Sequence, residues 1–174
     1  MTSHVALLRG INVGGHRRIA MADLRALFEG LGLERARTHI QSGNVLFASD
    51  QPEAALIAIL ETAIAARFGF EVPVLIRSRT ELADVAKAHP VSGPGVEPKA
   101  LMVAFLDRAA DGALDPDTYL PDRFSWAGRH LYLHYANGSA RSKLTNATIE
   151  AKLGVVSTIR NWRTVQRLAA LIGG

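Results

Sequence analysis

Arg37-Thr38-His39-Ile40-Gln41-Ser42-Gly43-Asn44-Val45-Leu46-Phe47-Ala48 holds two short runs, Arg37 to Gln41 and Val45 to Ala48, joined by Ser42-Gly43-Asn44. A Gly/Asn turn between two such runs is a hairpin signal. What flanks the hairpin decides the fold. Before it, Val5 to Arg9 reads as a buried strand, and Leu24, Leu27, Phe28 and Leu31 recur at helical spacing until Gly32. After it, Pro52 and Glu53 open a helix striped by Leu56, Leu60, Ile64 and Phe68, and Val72 to Ile76 reads as a strand. The order β-α-β-β-α-β is the split arrangement of a ferredoxin-like sandwich.

Further along, Thr80 to Ala88 reads as a connecting helix with Thr80 as N-cap, and the Pro/Gly-rich stretch Pro90 to Pro98 as a linker. The pattern then returns. Ala100 to Leu106 is a strand, Pro116 to Leu120 a short helix, and Arg123 to Trp126 pairs with His130 to Tyr135 around Ala127-Gly128-Arg129. Ser142 to Leu153 reads as a helix, Val156 to Arg160 as a strand, and Val165, Leu168, Ala169 and Ile172 mark one side of a last helix. The expected class is α+β: two tandem ferredoxin-like units with mainly antiparallel sheets and helices on one face. Their expected bounds are residues 1–79 and 99–174, joined by a connecting helix and linker at 80–98. The repeat is one of element order, with no sequence identity read between the halves.

With 174 residues and 48% hydrophobic content, the chain can bury a real core. The absence of cysteine excludes disulfides and thiol chemistry and fits a reducing compartment. Arg9 interrupts the first apolar run, so no signal peptide is expected, and Ala54 to Phe70 is too short and too charged to span a bilayer. A cytoplasmic protein without membrane contact is the expectation. From Arg129 onward, Arg129, Arg141, Lys143, Lys152, Arg160, Arg163 and Arg167 face Glu150 alone. Such a basic third favours an anionic partner, although charge of this size also serves solubility.

In the split topology the first two strands run the same way, with the third between them running back. The loop after the first strand and the hairpin therefore emerge at one edge. Candidate ligand-binding residues there are Arg9, Asn12, Gly14, Gly15, Gln41, Ser42, Gly43 and Asn44, with His16, Arg17 and Arg18 adding basic groups. The polar side chains offer donors and acceptors, and the glycines let a ligand approach the backbone. Each also has a plainer use, as turn former or loop brace. In the second half, Ser142, Lys143, Asn146, Arg160, Asn161 and Trp162 form a second candidate set, in which a helix N-terminus and Arg160 would receive an anion. Packing is the ordinary role for Trp162, and an N-cap for Ser142 or Thr145.

Gly10-Ile11-Asn12-Val13-Gly14-Gly15 matches neither G-x-G-x-x-G nor a P-loop. No metal set is read, no cofactor is expected, and His130, Tyr132 and His134 look like a solvated strand face. Asp107, Asp111, Asp115, Asp117 and Asp122 read as hydrated loop and capping acids.

Several of these segments carry a resemblance. Ala6 to Gly15, Met21-Ala22-Asp23-Leu24, Ile40 to Val45, Ser142 to Asn146, and Arg160-Asn161-Trp162 with Thr164-Val165 are similar to the bacterial domain-of-unknown-function family numbered 1697. The resemblance implies a tandem of two ferredoxin-like halves and brings no established substrate or catalytic residue. Where that family pattern has Lys or another polar residue after the two glycines, this chain has His16, a weaker phosphate ligand near neutral pH.

Three functions follow as expectations. The first is binding of an anionic small molecule, nucleotide-like or phosphorylated. In the second, an enzyme acts on such a ligand: Arg9 and Lys143 stabilise negative charge, Asn12, Gln41 and Asn44 position the substrate, and His16 or His39 is the base. The third is nucleic-acid binding through the basic third, which predicts steep salt dependence. Oligomeric state is not legible.

Overall fold

The computed structural model describes residues 1–110 and 114–174, which leaves Asp111 outside the described residues. The order is β1 (Thr2–Leu8), α1 (Met21–Gly30), β2 (Glu34–His39), β3 (Asn44–Ser49), α2 (Glu53–Phe68), β4 (Val74–Ser78) and α3 (Arg79–Ala86). There follow β5 (Leu101–Leu106), β6 (Arg123–Ala127), β7 (His130–His134), α4 (Asn146–Leu153), β8 (Ser157–Asn161) and α5 (Trp162–Gly173). Among the described residues these strands form two antiparallel four-stranded sheets, ordered β2-β3-β1-β4 and β6-β7-β5-β8. The class is α+β, two β-α-β-β-α-β units in tandem, with a 3-10 turn at Pro116–Tyr119 in place of the second unit's first helix. One compact unit comprises residues 1–82 with 168–174, and the other residues 83–167.

In the first unit the helix stripes do what their spacing requires. Leu24 and Phe28 of α1 and Leu56, Leu60 and Ile64 of α2 are buried against Ala6, Leu8, Val45, Phe47, Val74 and Ile76 on one sheet face. Burial of five such side chains supplies on the order of 10 kcal/mol of hydrophobic driving force before chain entropy is subtracted. The opposite sheet face, with Val5, Leu7, Leu46, Leu75 and Arg77, is buried as well. In the second unit Ala104, Leu106, Leu131, Leu133, Leu144 and Ile149 form the corresponding core.

Three expectations change. Ser78, not Thr80, caps α3: its Oγ accepts from the Glu81 N–H at 3.3 Å while the Glu81 carboxylate accepts from the Ser78 N–H at 3.0 Å. This reciprocal pair is a capping box. The helix read from Ser142 begins only at Asn146, because the Thr145 side chain accepts from the Thr148 N–H and stops the helix there. Finally, the face carrying His130, Tyr132 and His134 is covered rather than solvated. His130 and Tyr132 are buried, and the Tyr132 ring packs edge-on against His89 and Trp162 while its hydroxyl donates to the Val85 carbonyl.

The halves also share sequence where none was read. β4 and β8 both end in Ile-Arg followed by a small polar residue, Ile76-Arg77-Ser78 and Ile159-Arg160-Asn161. Arg77 lies opposite Val5 and Arg160 opposite Val103, equivalent sites of the two sheets. Each buried guanidinium donates to the carbonyl of its preceding isoleucine, at 2.8 and 3.1 Å. Each polar residue then caps the next helix: Asn161 Oδ1 accepts from the Thr164 N–H at 2.8 Å, as Ser78 does from Glu81.

Candidate functional site

The loop between β1 and α1 is a miniature hairpin. Asn12 N–H donates to the Arg17 carbonyl at 3.1 Å, and His16 N–H to the Val13 carbonyl at 3.1 Å. Gly14 and Gly15 sit at the turn with φ of +60° and +76°, the conformation of a type I′ turn, which L-residues with a Cβ resist. The glycines are thus explained by the turn. The returning arm, His16, Arg17 and Arg18, is exposed. Arg18 lies across the loop, its Nη2 3.5 Å from where a Cβ on Gly15 would stand.

Asn12 ties this loop to the β2–β3 hairpin. Its Oδ1 accepts from the Ile19 N–H at 2.9 Å, and its Nδ2 donates to the Ile19 and Gln41 carbonyls at 3.0 and 2.8 Å. The amide has no donor left for a ligand. Asn44 is likewise turned inward: it is fully buried, and its Nδ2 donates to the His39 carbonyl at 2.8 Å and to Ser42 Oγ at 3.0 Å. Gly43 is buried for a packing reason, since a Cβ there would fall 2.7 Å from Ile11 Cδ1 and 2.9 Å from Leu8 Cβ. Asn12, Gly43 and Asn44 therefore brace the rim through contacts within the protein. Arg9 is half-buried at the same rim, with its N–H donating to the Pro73 carbonyl at 3.0 Å.

Between loop and hairpin lies an open pocket of about 480 Å³, lined by Asn12, Gly15, Arg18, Ile19, Ala20 and Gln41. Ala20 is the N-cap of α1 and contributes no capping side chain. The free N–H groups of a first helical turn carry partial positive charge, so an uncapped helix start beside a guanidinium suits an anion. Ile19 and Ala20 escaped the sequence reading. The missing Ser, Thr, Asp or Asn before Met21 was the available signal.

Five of the six residues in the second candidate set make internal contacts. Ser142 Oγ accepts from the Leu144 N–H at 2.9 Å, Asn146 Oδ1 accepts from Ser157 Oγ at 3.0 Å, and Asn161 caps α5. Arg160 is not a fork exposed at a strand end. It is 7% exposed, and its Nη1 donates to Thr158 Oγ1 at 2.7 Å. Burial pushes its guanidinium down to about 10, so it stays charged near neutral pH. Trp162 is packed edge-on to His89. Lys143 alone of the six is an exposed cation. The acids of the second unit serve loops: Asp107, Asp115 and Asp122 accept from the backbone N–H groups of Val156, Asp117 and Ala136.

Among the described residues, no helix is long and apolar enough to cross a membrane. Residues 1–132 match the family model described as "Protein of unknown function (DUF1697)". A conserved bacterial protein of Streptococcus pneumoniae, SP0830, is similar in fold, with a TM-score of 0.73 at 24% identity over 98% of each chain. No curated protein matches the chain in sequence.

Proposed function

From the premise that this chain belongs to the DUF1697 family of unknown function, we propose that its first unit binds an anionic small molecule, phosphorylated or nucleotide-like. One observation carries the reading: Arg18 and the uncapped start of α1 line a single pocket with the exposed Gln41. A phosphate seated there would accept from backbone N–H groups at the first turn and from the guanidinium, pairing fixed dipoles with a full charge. Asn12 keeps loop and hairpin in register, so the cradle is formed before the ligand arrives, which lowers the ordering cost of binding.

Thermal unfolding with inorganic phosphate, pyrophosphate and a nucleoside diphosphate tests the proposal. Ligands that bind only the folded chain raise its Tm. The expected result is stabilisation by one or more of the three at millimolar concentration, weakened about tenfold in apparent affinity by Arg18→Ala, the equivalent of about 1.4 kcal/mol. Absence of stabilisation by all three, or an unchanged response in Arg18→Ala, contradicts it. Polynucleotide binding with a steep salt slope that survives Arg18→Ala would move the reading to the basic third of the chain.

A further inference from the structure

We infer that the loop pocket takes a phosphate monoester with a short alkyl body, and that Val13 and Ile40 receive that body. The inference rests on the phosphate reading above and names the rest of its ligand. Val13 is 67% exposed and Ile40 48%, whereas Ile11 and Ile19, in the same loop as Val13, are each 2% exposed. Single exposed aliphatic side chains are ordinary on a protein surface. Position sets these two apart. Each stands beside a residue that lines the pocket, Val13 beside Asn12 and Ile40 beside Gln41. The bond from Asn12 Nδ2 to the Gln41 carbonyl, at 2.8 Å, pins the two loops together at that point. Exposed aliphatic groups therefore flank the pocket from both loops.

Ile40 is also held in a backbone conformation that its side chain resists. Its φ is +55°, the left-handed region, and a β-branched residue is an outlier there. Asn or Gly would adopt it at less cost. Core packing does not offset the strain, because Ile40 lies outside the buried cluster of the first unit. Strain of this kind gathers at ligand contacts, where the side chain has a use that folding alone does not supply.

The lining narrows the class of body. Neither loop, residues 9–20 and 39–44, contains Phe, Tyr or Trp, so a nucleobase has no aromatic ring to stack on. Both donors of the Asn12 amide are spent on the Ile19 and Gln41 carbonyls, which leaves sugar hydroxyls the Gln41 side chain besides Arg18. Apolar groups are better served. Ile19 and Ala20 line the pocket, and Val13 and Ile40 stand on the loops that wall it. The volume of about 480 Å³ would hold about sixteen waters at roughly 30 Å³ each, room for a phosphate and a chain of several carbons.

Calorimetric titrations with hexyl phosphate, inorganic phosphate and uridine monophosphate test the inference. Hexyl phosphate is expected to bind about tenfold or more tighter than either of the others, with a negative heat-capacity change that inorganic phosphate lacks. Ile40→Asn and Val13→Ser should each cut that preference to about threefold or less. Asn suits the left-handed backbone, so Ile40→Asn should also raise the Tm; a lowered Tm would assign Ile40 to the fold instead. Equal binding of the three, tighter binding of the nucleotide, or a preference kept in both variants overturns the inference and leaves the phosphate reading intact. Binding of none of the three overturns both. Variants that keep the preference yet lose self-association overturn it too, because Val13 and Ile40 would then form an interface between copies of the chain.

Discussion

Asn12 spends its whole amide inside the protein, and that sets what can be asked of it. Asn12→Asp keeps the shape but turns two donors into an oxygen facing the Ile19 and Gln41 carbonyls. The loss expected from urea unfolding is about 1 kcal/mol, the range for hydrogen bonds lost at a part-buried site. Gly43→Ala should cost about 2–4 kcal/mol by the same measurement, from left-handed strain at φ +85° plus the overlap with Ile11 and Leu8. Topology let the sequence gather Arg9, Asn12, Gln41, Ser42 and Asn44 at one rim. It could not tell which way the amides turn, because the partners of Asn12 lie seven and 29 residues away. Arg18, read from sequence only as added charge, is the side chain that lines the pocket.

Among the elements, α1 and α4 differ at their starts in a way that separates stability from binding. α4 has Thr145 as a working cap, while α1 begins after Ala20 with none. Ala20→Asp should raise the unfolding free energy by about 1 kcal/mol, since the carboxylate would accept the orphan N–H groups and face the helix dipole. The same side chain would occupy the anion's place, so phosphate stabilisation should vanish in a variant that is itself more stable. A variant that gains stability and still responds to phosphate would show that the helix start takes no part. Strongly periodic elements such as α2 were legible because three leucine and isoleucine positions repeat at one spacing. Boundaries were less so. Ser142 offers a hydroxyl that looks like a cap, yet it bonds the Leu144 N–H and leaves the helix to start beyond Thr145. The repeated Ile-Arg ending of β4 and β8 is illegible in the sequence because only two residues are identical, and it is the pairing register that aligns them.

For the molecule as a whole, the tandem α+β architecture could be read from element order, whereas the faces each sheet buries could not. His89 illustrates the consequence. Its Nδ1 accepts from the Val91 N–H at 3.3 Å and its Nε2 donates to the Met102 carbonyl at 3.0 Å, so the neutral ring holds the start of the linker. Burial, with a smaller effect from neighbouring His134, lowers its pKa from the ordinary 6.5. Below that value the unfolded chain binds a proton that the folded chain resists, so stability falls as pH drops. Urea unfolding should show a loss between neutral pH and the onset of carboxylate titration that His89→Gln flattens; equal pH slopes in both proteins would contradict this. The central claim, that loop and hairpin build an anion cradle at the start of α1, is tested most directly by mapping inorganic phosphate on the backbone amides by NMR. The account predicts saturable shifts at Gly15 and at Met21, Ala22 and Asp23, lost in Arg18→Ala. Unmoved amides there, or shifts confined to the basic third from Arg129 onward, would contradict it.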